Sequence, residues 1–221
     1  WQRQPGGTRP ANEPTQAIPI PVQYNDGLFV DPNGTTGALN NRTQWYNRLY
    51  GAIGYNGTPL KGALQQAGLY YSSNSSNGPY GPQAAASQYS CRQNFTILTT
   101  DGYWNDNSNY VAVDEQDNTP GPTVTGPGNQ SFTYSAVAPY ASADSNTLAD
   151  VAMRYWKNDL RTDLINQVPT TSSNPAFWQH MVTFGISIGL KGSVDPDGPL
   201  PGMPGGPAAW PNPNDAADLR R

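Results

Sequence analysis

Two residues of this chain have the types and the positions for shared chemistry. Asp101 ends the apolar, β-branched run Phe95-Thr96-Ile97-Leu98-Thr99-Thr100 and is followed by Gly102. A buried strand of that composition delivers a carboxylate to its C-terminal end, the edge at which open α/β sheets bind ligands. Upstream, Gly57-Thr58-Pro59-Leu60-Lys61-Gly62-Ala63-Leu64 can bring the Thr58 hydroxyl to the same place. Hydroxyl and carboxylate oxygens converging at a sheet edge make a site for a hard divalent cation, magnesium, manganese or calcium. Each residue also has a plain structural use, Thr58 as a helix cap and Asp101 as a turn residue before a glycine.

Other chemistry is thin. Asp195-Pro196-Asp197-Gly198 resembles the opening of a calcium loop but lacks the later glutamate, and a solvated turn explains it. Asp114, Glu115 and Asp117 form a small acidic patch that reads as a solvated loop. His180 is the only histidine, and no Gly-x-Ser-x-Gly elbow accompanies it, so a structural histidine between Trp178 and the following strand is the expectation. The chain has no phosphate-binding glycine loop, no paired zinc ligands and no dinucleotide fingerprint, which leaves enzymatic function little to stand on. The single cysteine, Cys91, cannot close an internal disulfide. It reads as a thiol paired to another chain or segment, or as a buried free thiol before the strand. Among the aromatics, Trp45, Tyr71, Tyr155, Trp156 and Trp178 fall on core-facing stripes. Tyr80, Tyr103, Trp104, Tyr110 and Tyr140 are left as exposed candidates for a carbohydrate surface.

The elements that must position these residues follow from periodicity and turn chemistry. Residues 1–17 read as an extended arm, and Ile18–Tyr24, with two prolines, as an edge strand or irregular segment. Trp45, Tyr46, Leu49 and Tyr50 make one stripe of a short helix after Asn40-Asn41. A better-marked helix starts with Thr58 as cap and Pro59 in its first position, and carries Leu60, Ala63, Leu64, Ala67 and Tyr71 at helical spacing. Residues 72–90 read as a surface loop, Phe95–Thr100 as the central strand, and about 104–143 as a polar insertion. Ser145 or Asn146 should cap a helix with the stripe Leu148, Val151, Ala152, Tyr155 and Trp156. A short helical turn around Phe177 and Trp178 leads into a strand over Met181–Leu190. The Pro/Gly-rich residues 195–221 read as a linker, so the domain proper spans 18–194.

At 221 residues the chain suits one large domain with a sizeable core, although only 36% of it is apolar and it carries 23 glycines and 22 prolines. An α/β core with long Gly/Pro-rich loops is the expected compromise. A net charge of −4 and no Lys/Arg cluster speak against nucleic acid. No apolar stretch approaches the roughly 18 residues of a membrane span. The low charged fraction, 13%, is usual for secreted and cell-surface proteins.

Several motifs together resemble the PilY family of type IV pilus tip adhesins and biogenesis factors. They are Cys91-Arg92-Gln93-Asn94-Phe95 through Thr100-Asp101-Gly102-Tyr103-Trp104-Asn105, and Leu148-Ala149-Asp150-Val151-Ala152-Met153 with Tyr155-Trp156-Lys157 and Asp159-Leu160-Arg161. Phe177-Trp178-Gln179-His180-Met181 with the strand to Gly189, Trp210-Pro211-Asn212-Pro213 and Gly57-Thr58-Pro59-Leu60 fit the same family. The resemblance covers roughly residues 40–70, 91–105, 139–190 and 208–213.

That resemblance implies an α/β fold of the von Willebrand factor A-like (Rossmann-like) kind, an open sheet flanked by helices, here incomplete. It also implies a metal-ion-dependent adhesion site in which Thr58 matches the threonine-loop position and Asp101 the aspartate ending the fourth strand. The site's Asp-x-Ser-x-Ser loop is not in this chain, so binding of magnesium or calcium by this chain alone is expected to be weak or absent. The family's first strand lies beside Phe95–Thr100. The chain therefore looks like an internal fragment of a longer protein, its gap filled by an upstream portion of that protein or by a partner's strand, with Cys91 as a covalent tether.

The function so implied is a non-enzymatic adhesion or assembly module of a bacterial type IV pilus tip complex. Its partners would be minor pilins and a host or surface receptor, and its place the cell surface, reached through the periplasm. The alternative is a structural interaction protein of another surface assembly with a degenerate metal site. A hydrolase using His180 ranks last.

Overall fold

In the computed structural model, the described residues are 50, 58–75, 78–81, 83–100, 104, 109–188, 193–195 and 197–213. The expected arm, the Ile18–Tyr24 segment, Asp101 and Tyr103 lie outside them, as does the helix after Asn40-Asn41 except for Tyr50, which is helical and exposed.

The chain is mixed α/β. Helix α1 spans Leu60–Tyr71 and strand β1 Asn94–Thr100; β2 (Thr123–Gly126) and β3 (Gln130–Thr133) form a hairpin; α2 spans Leu148–Lys157 and β4 Met181–Ser187. β1 and β4 pair in parallel from Asn94↔Met181 to Thr100↔Ser187. Parallel strands need a long crossover, and here α2 provides its helix. Both helices pack on one side of the sheet, where Leu64, Val113, Val151, Tyr155 and Met181 form a core. Gly68 lets the helices close, because a Cβ there would overlap the Tyr155 ring.

Helix α1 starts one residue later than expected. Pro59 takes the cap position (φ −83, ψ 58), with its carbonyl accepting from the Ala63 N–H at 2.9 Å. Helix α2 is capped by neither Ser145 nor Asn146. Thr147 Oγ1 accepts from the Asp150 N–H at 3.1 Å, and Asp150 Oδ2 accepts from the Thr147 N–H at 2.8 Å, a reciprocal box. Asn146 is occupied elsewhere. At φ 62 its Oδ1 accepts from the Tyr110 hydroxyl and from the N–H groups of Val113 and Asp114.

Residues 109–143 hold more structure than their polar composition announces. The hairpin turns through Pro127-Gly128-Asn129, where Gly128 (φ 68) and Asn129 (φ 62) take the left-handed conformations such a loop requires. It places Val124 opposite Phe132. Both meet a second core of Ala176, Phe177, Trp178 and Trp156, in which the Phe132 and Trp178 ring centroids lie 5.4 Å apart and Trp156 stands edge-on to Trp178 at 5.8 Å. The expected helical turn at Phe177–Trp178 is not helical. The Phe177 carbonyl accepts from the Val168 N–H and the Gln179 carbonyl from the Leu160 N–H, so this backbone bonds to neighbouring segments instead of to itself.

The 72–90 segment is likewise more than a surface loop. Tyr80 is fully buried, which removes it from the exposed aromatics, and Asn94 Nδ2 donates to its hydroxyl at 2.8 Å. Arg161, 2% exposed, holds the segment. Its guanidinium donates to the Ser73 carbonyl at 3.0 Å and Gln88 Oε1 at 2.8 Å, forks onto Asp163, and lies over the Tyr80 ring. In the tail, Pro201 is buried and Trp210 Nε1 donates to the Pro139 carbonyl at 2.6 Å, so these residues fold back onto the 137–141 turn.

Candidate functional site

Of the two residues expected to share a cation, Thr58 lies half-buried just before α1 and its carbonyl accepts from the Leu60 N–H at 3.0 Å. Asp101 lies outside the described residues, so their juxtaposition stays a proposal. Cys91 is exposed, in the turn leading into β1, and free. His180 is buried. Its Nδ1 meets the Trp178 carbonyl at 2.6 Å and its Nε2 the Asn174 carboxamide at 2.9 Å. Burial lowers its pKa, against the opposing pull of the Trp178 carbonyl, which makes it a structural histidine of the aromatic core. Asp195 and Asp197 are exposed, with Asp195 Oδ1 accepting from the Asp197 N–H at 3.0 Å in a solvated turn. Of the remaining exposed-aromatic candidates, Tyr140 is exposed, whereas Trp104 and Tyr110 are half-buried around the Lys61 ammonium.

Two other features stand out. The first is the outer face of the β1–β4 sheet. Phe95, Ile97, Phe184, Ile186 and Ile188 are 51%, 64%, 52%, 49% and 60% exposed. The register sets Ile97 beside Phe184, and the Phe95 and Phe184 rings are 6.2 Å apart, so these side chains make one contiguous apolar surface. Parallel sheets are ordinarily covered on both faces. Among the described residues, β1 pairs only with β4, and β4 only with β1.

The second is an acidic cluster that corrects the solvated-loop reading. Glu115, Asp117 and Asp150 each bring a carboxylate oxygen within 4.8 Å of the others, a grouping able to hold a metal ion. Asp117 is 1% exposed. Burial pushes its pKa up to about 6, opposed by the Ser142 N–H that its Oδ1 accepts, and the Asp150 and Glu115 charges push the same way as burial. Asp150 Oδ1 accepts from the Gln116 N–H at 2.7 Å and Asp117 N–H at 3.4 Å. Lys157 lies nearby, but its ammonium is committed to the Gln116 and Thr119 carbonyls and to Thr119 Oγ1.

Sequence reasoning passed over Asp150 here. The signal available was Thr147-x-x-Asp150, a capping box that fixes a carboxylate at the start of a helix. The burial of Asp117 had no local signal, because the groups that cover it come from Ser142, Tyr134 and α2.

No helix among the described residues is long and apolar enough to cross a membrane. No protein-family model matches the chain, and no solved structure does. Among curated proteins, the type IV pilus biogenesis factor PilY1 of Pseudomonas aeruginosa strain PAK is 36% identical over 173 residues, 69% of this chain. The proteins of the same name from strains PAO1 and UCBPP-PA14 are 34% and 31% identical over the same 69% share. The chain spans 14% of the length of each of these relatives. With identities above 30% to these relatives over 69% of its length, the chain belongs to the PilY family of type IV pilus biogenesis factors.

Proposed function

We propose that this chain is a non-enzymatic assembly module of a type IV pilus tip complex, in which the open β1–β4 sheet receives the rest of a von Willebrand factor A-like domain. The observation that carries this reading is the outer sheet face. Five large apolar side chains stand about half exposed or more on a parallel pair, and parallel sheets are ordinarily covered on both faces. Covering it with a further layer, and extending it with a strand, would bury this surface at roughly 25 cal/mol per Å².

The occupant is another portion of the same long protein, with minor pilins as partners of the completed module. Thr58 and Asp101 would supply two oxygens of an adhesion site whose Asp-x-Ser-x-Ser loop comes from elsewhere in that protein, and a surface receptor would bind there. Cys91, exposed in the turn before β1, would tether the added piece. The working location is the cell surface, reached through the periplasm.

The test is made in the full-length protein on cells. Ile97→Asp combined with Phe184→Asp should abolish or sharply reduce surface pili. Ile165→Asp, a change of the same chemistry at a residue 60% exposed and outside β1 and β4, should leave them unchanged. Normal piliation by the double variant, at normal protein level, would refute the proposal.

A further inference from the structure

We propose that Glu115, Asp117 and Asp150 form a calcium site that fastens the 109–119 loop to the start of α2, independent of what covers the sheet. The spacing suits the ion. Oxygens bound to one calcium at 2.3–2.6 Å can stand as much as about 5 Å apart, whereas magnesium at 2.0–2.1 Å allows only about 4.2 Å. The three carboxylate oxygens here lie within 4.8 Å of one another.

A second observation points to a ligand. Asp117 is 1% exposed, and its Oδ2 is buried with no hydrogen-bond partner, although its carboxyl faces those of Glu115 and Asp150. An unpaired carboxylate oxygen buried among like charges is costly unless a proton or a cation sits against it. The neighbouring Lys157 charge attracts all three carboxylates but makes no hydrogen bond to them, because its Nζ bonds three other oxygens of the same loop. Lys157 instead fixes the loop from beneath and leaves the carboxylates turned toward one another.

The rest of the site fits. Glu115, half-buried, gives the ion a way in from solvent and closes over it. Asp150 is pinned by the Thr147 capping box on Oδ2 and by Gln116 on Oδ1, so it is a preorganised ligand. Its long bond from the Asp117 N–H, 3.4 Å, is the one a cation would displace. Three carboxylates supply three of the six to eight oxygens calcium takes, and water or loop carbonyls supply the others.

Calorimetry and thermal unfolding of the full 221-residue chain with calcium chloride test this. One calcium per chain should bind and raise Tm, and magnesium chloride should do so at least about tenfold more weakly. Glu115→Gln, at a half-buried loop position that tolerates the change, should weaken calcium binding about tenfold or more. Asp117→Asn should weaken it further, and Asp197→Asn in the exposed tail turn should change nothing. The proposal is overturned if millimolar calcium gives neither heat nor a Tm shift. It is overturned equally if Glu115→Gln binds like the parent, if Asp197→Asn abolishes binding, or if magnesium binds as tightly.

Discussion

The two faces of the β1–β4 sheet are built from the same strands and are finished to different degrees. On the inner face Met181 is fully buried against Leu64, Val151 and Tyr155, and Asn94 is 4% exposed, its carboxamide donating to the Tyr80 hydroxyl and the His180 carbonyl. On the outer face Phe95, Ile97, Phe184 and Ile186, residues at least as apolar, remain about half exposed or more. Hydrophobicity along β1 and β4 therefore does not decide burial by itself. What decides it is whether another element arrives to cover the face, and α1, α2 and the 72–90 segment all arrive on one side.

The contrast predicts how each face answers substitution. Trp178 is the fully buried centre of the aromatic core, so Trp178→Ala should cost about 3–5 kcal/mol. A urea midpoint unchanged from the parent would break the account of that core. Gly68→Ala forces a methyl into the Tyr155 ring and should cost about 1–3 kcal/mol. Pairing it with Tyr155→Leu, which opens the contact, should recover part of the loss in the same denaturation assay.

His180 sharpens the inner side through pH. Burial holds its folded pKa below the unfolded value of about 6.5. Its contribution is therefore complete above about pH 6.5 and is lost as pH falls through the folded value. Asp117, raised to about 6, works in the opposite sense, adding stability at low pH that is lost as pH rises through about 6. The His180 share is read by difference. Relative to the parent, His180→Gln should lose its stability disadvantage progressively below pH 6.5, measured by Tm across pH 4.5–8. A pH-independent difference would contradict a buried neutral imidazole.

On the outer side, Ile97→Thr and Ile186→Thr keep β-branching and should each stay within about 0.5 kcal/mol of the parent chain. The same changes in the full-length protein should cost several times more if the face is covered there.

Much of this arrangement was legible in the sequence where the signal was local. Leu60, Leu64 and Tyr71 at helical spacing gave α1, Leu148 through Trp156 gave α2, and alternation from Met181 gave β4. The hairpin was missed because its strands are four residues each and mostly polar, although Pro127-Gly128-Asn129 between Val124 and Phe132 is a turn signature. The 72–90 segment looked solvated because the residue that buries it, Arg161, lies more than 70 positions away. The acidic cluster has the same origin, since Glu115 and Asp117 meet Asp150 only through the fold. Nothing local announced that Asp117 would be buried.

The central claim is that the open sheet of this chain is completed in the assembled protein. Hydrogen–deuterium exchange, followed on peptides covering Asn94–Thr100 and Met181–Ser187 in the isolated chain and in full-length protein, tests it most directly. The account predicts that Phe95–Thr100 amides exchange much more slowly in the full-length protein, while peptides covering α2 and Trp178 exchange alike in both. Equal protection of Phe95–Thr100 in the two samples would contradict it.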